Sequence, residues 1–456
     1  MAKQSSTVFP HPPRVLVVGA GMAGLAAAQA LQRAGFQVRV VEQNDAVGGR
    51  VKSQAFHGRT IECGAQFPSS GYRHMPALLA GAGLADRVHA TSPWAAFERG
   101  GRLFRVHQNR PWTLVGSGLL SAGDGARLMA GALPLGFGGW ARDRSSYAAY
   151  ASLDNEDALA WCRRRLGRGA SAHVLAPTVH GLYFHPLENT SRALVAAVLS
   201  FHRAHALAVR GGWNQLARAM AAEVDVQTGA VVEGLRELAH GVEVRVGGER
   251  TVVDGVVLAV PAPCAQRLLE SPIALEEAVL ATAYAPAVHV ALGMQAGWPL
   301  PEPLRGVHGT LLPPADARAG GSVVASVVVE SARLAVPAAP EVLTFMLAGR
   351  AAHEPAAGAD LPPVQQAVAW LEARWPGSAR AVVAHRVQRW ACAEPLSPVG
   401  RARAIARYRQ GLPAGRRIVL CGDYMGMPWT DGAIETGHWA AGHLRRLGRC
   451  PQPAAA

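Results

Sequence analysis

Lysine is almost missing from this chain of 456 residues: it occurs only as Lys3 and Lys52, so the formal net charge of +13 is carried by arginine. Charged residues make up only 17% of the chain, too few for a disordered polyelectrolyte. No basic block is longer than Arg163–Arg165, and none alternates with aromatic side chains, which excludes a nucleic-acid-tracking surface. The positive balance suits anionic small molecules or lipid headgroups instead. Six cysteines (Cys63, Cys162, Cys264, Cys392, Cys421 and Cys450) lie far apart with no CxxC spacing, which argues against zinc or a redox pair, and no metal is expected. The opening MAKQSSTVFPHPP has no apolar core of the kind a secretory signal needs and reads as a loose tail over 1–13. The longest uncharged apolar run, Leu128 to Trp140, contains Pro134 and falls short of the ~20 residues that span a bilayer. A reducing, cytoplasmic setting is expected, with room for peripheral contact at the inner face of a membrane; nothing fixes the oligomeric state.

Half of the residues are apolar, enough for a large core, and the length suggests two or three domains. The first folding unit is legible residue by residue. Arg14 to Val18 is a short, β-branched run of the kind buried in parallel sheets, and it leads straight into Gly19, Gly21 and Gly24. A helix follows, opened by Met22 and Ala23 and ending near Gly35; then comes a second strand, Gln37 to Val41, with Glu42 and Gln43 at its end. In such a unit the glycines allow a tight turn, close approach of a diphosphate and close helix packing. The helix N-terminus offers unpaired N–H groups to phosphate, and Glu42 is placed to accept hydrogen bonds from a ribose.

Three further stretches carry patterns of the same kind. Gly48-Gly49-Arg50 and Glu62-Cys63-Gly64-Ala65-Gln66 follow directly. Gly211-Gly212-Trp213 precedes a helix, strand-like alternation and the run DGVVLAVPAP. Near the far end, Ile418 to Cys421 reads as a strand running into Gly422-Asp423, followed by Trp429, Asp431-Gly432-Ala433-Ile434 and a helix. Residues ~80 to 204 show helical alanine and leucine patterns, and ~265 to 395 contain strand-like runs such as VHVALGM and SVVASVVVE.

With these motifs the sequence resembles the superfamily of flavin-containing amine oxidases, protoporphyrinogen oxidases and phytoene desaturases. The resemblance implies an α/β fold: a Rossmann-like FAD-binding domain, discontinuous in sequence (14–80, 205–264 and 396–449), plus an α+β substrate-binding domain (81–204 and 265–395). It implies FAD as cofactor, with Arg50 near the diphosphate or flavin and the backbone of Gly64, Ala65 and Gln66 beside the ring. It also implies an adenine contact at Val232, a ribityl or phosphate bond from Asp423, and the backbone of Ala433 and Ile434 meeting the ring near N1 and the C2 carbonyl. Trp429 falls where amine oxidases carry one wall of an aromatic sandwich; the alternative is a tryptophan buried between domains.

Many amine oxidases hold a lysine near flavin N5, at a position that counting back from Trp298 puts at Val288 or His289. Neither is lysine, and the expected substrate domain contains none. The resemblance therefore leans towards desaturase-like or porphyrinogen-oxidase-like removal of a hydride from a bulky, largely apolar small molecule, with reoxidation by oxygen or another acceptor. An amine oxidase lacking its lysine and a non-catalytic flavin-binding protein are the alternatives. His289 is a candidate base or else a core histidine; His180 and His185 are weaker candidates still. Cys392 sits too early to match the family's flavin-linking cysteine.

Overall fold

A computed structural model describes residues 12–139, 142–201, 203–314, 323–336, 339–349, 352 and 361–447; most of the expected tail, Trp140 and Cys450 lie outside the described residues. Five parallel strands form one sheet in the order Ile418–Leu420, Gly255–Leu258, Arg14–Val18, Gln37–Val41, Asp225–Gln227. At its centre Val17 pairs with Val40 on one side and Val257 on the other, and all three are fully buried, the environment in which uninterrupted β-branched runs are stable. Strands from both ends of the chain thus share one sheet.

Two helices cover this sheet: Met22–Gln32, directly after the first strand, and Thr430–Leu447, at the end of the described chain. They press backbone to backbone. A side chain at Gly437 would come within 2.2 Å of the Ala23 carbonyl oxygen, so only glycine allows the crossing. Ala433 lies four residues, about 6 Å of helix rise, from that crossing point. The first turn of the opening helix and the first turn of the closing helix are therefore neighbours.

A second sheet of seven strands runs in the order Val382–Pro395, Tyr284–Met294, Val342–Leu347, Val324–Val329, Val307–Leu311, Trp94–Arg99, Arg102–His107. Its strands are antiparallel except for Val307–Leu311 beside Trp94–Arg99. The last two strands correct the purely helical expectation for residues ~80 to 204. They form a hairpin around Gly100-Gly101, both at positive φ, a two-residue turn that fits the twist of paired strands. A separate three-stranded antiparallel sheet (Val232–Leu238, Gly241–Val246, Glu249–Val253) precedes the strand at Gly255. The run Leu128 to Trp140 belongs to the helix Ala122–Gly139 as far as that helix is described, and among the described residues no helix is long and apolar enough to cross a membrane.

Alternation along Tyr284–Met294 splits its side chains between two environments. Val288, Val290, Leu292 and Met294 enter an apolar core with Val364 and Trp370. Ala287 and Ala291, on the other face, pack with Met346, Trp390, Ile61 and Cys63, beside the turn that contains Gly64. His289 lies on that second face.

Candidate active site

The opening turn has the shape a diphosphate requires. A Cβ on Gly24 would sit 2.0 Å from the Gly19 carbonyl oxygen and 3.2 Å from Ala259, so the helix rests directly on its own turn and on the neighbouring strand end. Gly21 is different: among the described residues nothing lies within 4 Å of where its side chain would point, its position gives no side-chain cap, and the first turn holds no acid. The positive end of an eleven-residue helix is thus left free for an anion, with Met22 and Ala23 buried in its first turn. Glu42, 6% exposed, accepts from the Ala20 N–H at 2.8 Å and from the backbone and side-chain nitrogens of Asn44, while Gln43 beside it is exposed. Val232 is buried at the start of its strand.

The Gly48-Gly49-Arg50 loop docks against this turn through a bridge between Gly48 and Gly21. From it Arg50 donates to the Asp423 carboxylate at 2.5 Å and to the carbonyls of Cys392 and Ala393. Tyr284 donates to the other Asp423 oxygen at 2.9 Å. Burial opposes both charges, but each stabilises the other: the Asp423 carboxyl is held below its usual range and the Arg50 guanidinium above its own, so the pair is fully ionised. Glu394, close by, goes the other way; burial dominates and drives its carboxyl well above the ordinary range. Arg50, Tyr284 and Glu394 are half-buried. Arg401, 6% exposed, donates to the carbonyls of Asp423 and Gly426 and braces that loop.

The turn Glu62–Gln66 is tied to the same loop. Ala65 N–H donates to the Arg50 carbonyl, Trp390 Nε1 donates to the Cys63 carbonyl at 2.7 Å, and Gln66 donates to the carbonyls of Glu62 and Gly64. The Gln66 side-chain oxygen accepts from Arg333 of the second sheet's connecting helix. Gly64 leaves no room for a side chain against the Arg50 carbonyl, at 2.0 Å, so turn and loop form one unit.

At the far end, Gly422 N–H donates to Thr436 Oγ, Gly432 is pressed on the Met427 carbonyl, Ile434 is fully buried and Ala433 is half-buried. Asp431 is buried; its carboxylate collects the backbone N–H groups of Arg73, His74 and Met75, at the start of the helix Met75–Gly81, and the Ser145 hydroxyl. Trp429 is half-buried and meets Phe201 edge to face at 5.0 Å, and Phe201 meets Tyr72 in the same manner at 6.1 Å. These three rings form an aromatic wall of which the sequence pointed only to Trp429. Tyr284, Glu394, Arg401, Phe201 and Arg333 also carry no local motif.

His289 is fully buried, neither ring nitrogen has a hydrogen-bond partner among the described residues, and burial pulls its pKa down to about 3, so the ring is neutral. Burial lowers His180 and His185 to about 4. The Cys392 thiol is raised by burial and stays protonated. Among the described residues no group of three or more His, Cys, Asp or Glu side chains is arranged to hold a metal.

The space beside Gly21 and the uncapped helix end behind it fit the diphosphate of FAD; Arg50 and Glu42 would lie beside that group, and the closing helix crosses the opening one at Gly437. The model of the family described as flavin containing amine oxidoreductase matches residues 22–445. Polyamine oxidase 4 of Oryza sativa subsp. japonica is 48% identical over 56 residues, which is 12% of each chain, so the likeness to this curated relative covers only a short stretch of its length. Among solved structures, putrescine oxidase bound to putrescine superposes with a TM-score of 0.71 at 20% identity, covering 95% of this chain and 99% of that one. A protoporphyrinogen-oxidase-like protein of Exiguobacterium sp. 255-15 gives 0.70 at 16%, covering 94% and 98%. Identities this low establish the two-domain fold and leave the substrate open. The family match spans nearly the whole described chain, and the protein is a member of the flavin-containing amine oxidoreductase family, FAD-dependent oxidoreductases of two-domain fold.

Proposed function

We propose that this enzyme dehydrogenates a bulky, largely apolar small molecule, in the manner of desaturases and porphyrinogen oxidases, and passes the electrons to oxygen or another acceptor. In this reading FAD accepts the hydride, and the protein positions the carbon and keeps the site dry. The domain division 14–80, 205–264 and 396–449 against 81–204 and 265–395 is part of the same proposal, as are the roles of Trp429 as a wall of the substrate site and of Val232, Ala433 and Ile434 as cofactor contacts.

The observation that carries the reading is the make-up of the strand Tyr284–Met294. The face that packs beside Cys63 and Trp390 offers Ala287, His289 and Ala291, and Val288 points into the opposite core. Lys52 is the one lysine among the described residues, and its ammonium donates to Gln388 at 2.8 Å. The buried His289 ring, with a pKa of about 3, is a weak proton acceptor at neutral pH, so we assign it a packing role ahead of a catalytic one.

One observation favours an amine oxidase instead: Gln388 pairs in register with His289, so Lys52 is bonded to the strand residue beside the position in question. Anaerobic mixing of the yellow holoenzyme with porphyrinogens, polyenes and amines separates the readings. Bleaching of the flavin band by a polyene or porphyrinogen supports the proposal. Bleaching by amines alone, with aldehyde and hydrogen peroxide formed in air, overturns it in favour of amine oxidation, and no bleaching by any class leaves a binding protein.

A further inference from the structure

The helix Ala176–Tyr183 ends on Phe184 in the left-handed conformation, φ 62° and ψ 20°, with the Phe184 N–H donating to the His180 carbonyl at 2.9 Å. Glycine or asparagine is the usual occupant of such a helix end, and a bulky aromatic residue there is an outlier. The other non-glycine residues at positive φ among the described residues, His57 and Arg203, lie in turns. The strained residue is held from two sides. At Gly181 the helix presses on the second sheet, since a Cβ there would stand 2.5 Å from Leu311 Cδ2 and 3.1 Å from the Ala325 carbonyl oxygen. The Phe184 side chain packs on the cluster of Ala287, Met346 and Ala393, as does Trp390. A right-handed residue at 184 would continue the helix and carry the ring off that cluster. Strain over-determined in this way gathers where a protein positions a ligand.

The cluster touches the turn expected beside the flavin at two points. Trp390 Nε1 holds the Cys63 carbonyl, and the ring stands 3.2 Å from where a Gly64 side chain would begin. Met346 Sδ lies 3.9 Å from Gln66 Nε2. Tyr183, next to Phe184 in the chain, is near enough to Tyr72 of the aromatic wall that it adds to burial in raising the Tyr72 phenol. Phe184 and Trp390 are half-buried, whereas the three side chains on which they pack are buried, and two of those are alanine. Two rings are thus the tall members of an otherwise low apolar face. A ring takes up another ring or a conjugated plane in offset or edge-to-face contact, which a puckered saturated skeleton does not match.

We propose that Phe184 is a specificity-determining residue, whose ring, together with that of Trp390, receives a flat, unsaturated part of the substrate beside the turn Cys63–Gln66. The proposal rests on the dehydrogenase reading above and narrows its substrate to apolar molecules that carry a conjugated or aromatic plane.

Calorimetric titration of the FAD-loaded enzyme with 2-naphthylmethanol and decahydro-2-naphthylmethanol, one carbon skeleton in flat and puckered form, tests it. The natural enzyme is expected to bind the flat alcohol roughly five-fold or more tightly than the puckered one. Phe184→Leu is expected to bring the two within about two-fold, and Phe184→Tyr to keep the preference. Phe184→Gly is expected to lose the preference as well, with a denaturant midpoint equal to or above that of Phe184→Ala, because glycine relieves the left-handed backbone. It carries the comparison should Phe184→Leu not retain flavin. Equal binding of the two alcohols by the natural enzyme, a preference untouched by loss of the ring, or a midpoint of Phe184→Gly below that of Phe184→Ala overturns the assignment. Flavin reduction reads the dehydrogenase proposal separately. A flat-ligand preference without bleaching by any polyene or porphyrinogen would sink that reading and leave Phe184 assigned, while bleaching by a polyene at unchanged affinity and rate in Phe184→Leu would sink this inference alone.

Discussion

Arg50 and Asp423, separated by 373 positions in sequence, meet in a 2.5 Å ion pair whose carboxylate is only 10% exposed. The pair joins the loop after the first folding unit to the strand end that closes the chain. Removing the cation leaves Asp423 with Tyr284 as its nearest donor and an uncompensated buried charge. Arg50→Met is expected to lower stability by about 2–3 kcal/mol, read as a denaturant midpoint, and to reduce the flavin retained on purification. Unchanged stability together with full flavin content would show that the pair is incidental.

The crossing of the first and last helices makes a sharper packing test. Gly437→Ala places a methyl 2.2 Å from the Ala23 carbonyl and is expected to cost about 1–3 kcal/mol and to weaken FAD binding. Gly442→Ala on the same helix meets nothing within 4 Å among the described residues and is expected to be neutral or to stabilise by up to about 1 kcal/mol. Equal effects of the two substitutions would mean that the helices do not cross as described.

Asp431 predicts a third outcome. Its fully buried carboxylate holds three successive backbone N–H groups, from Arg73 to Met75. Asp431→Ala strands those donors and is expected to cost on the order of 3 kcal/mol, with Asp431→Asn intermediate, in chemical denaturation. A loss below about 0.5 kcal/mol would mean that water reaches this segment.

Glu62 gives stability a pH dependence. Burial raises its carboxyl from 4.5 to about 7 in the folded protein, so between these values the folded state keeps a proton that the unfolded chain has released. The stabilisation is complete below pH 4.5, falls as pH rises to about 7, and changes no further above it. Glu62→Gln removes this titration. The stability of the variant relative to the natural protein is expected to climb across that window by on the order of 3 kcal/mol, measured as denaturant midpoints at fixed ionic strength. A constant difference from pH 4 to pH 8 would contradict the assignment.

What the sequence made legible was whatever local pattern dictates. The strands Arg14–Val18 and Gln37–Val41 have the ends expected of them, and the intervening glycines have the contacts their spacing implies, because strand, turn and helix are each decided within a few neighbours. The hairpin Trp94 to His107 was overlooked although Gly100-Gly101 marks its turn; the alanine-rich residues around it masked the alternation. The contacts of Arg50 with Asp423, of Tyr284 with Asp423 and of Arg333 with Gln66 span 373, 139 and 267 positions, and no periodicity records a pairing of that range. Asp431 was expected within a flavin-facing turn, and the structure gives its carboxylate to the segment Arg73–Met75, a use that only the folded chain reveals.

The central claim is that segments from both ends of the chain grip one FAD. Its most direct test is the flavin content and affinity of the purified protein, by visible absorbance and by titration of FAD into the stripped enzyme, for the natural chain, Gly21→Val and Gly437→Ala. The account predicts about one FAD per chain, near abolition of binding when the space beside Gly21 is filled, and a marked loss when the closing helix is pushed off the opening one. A colourless protein that takes up no FAD, or FAD binding indifferent to both substitutions, would contradict it.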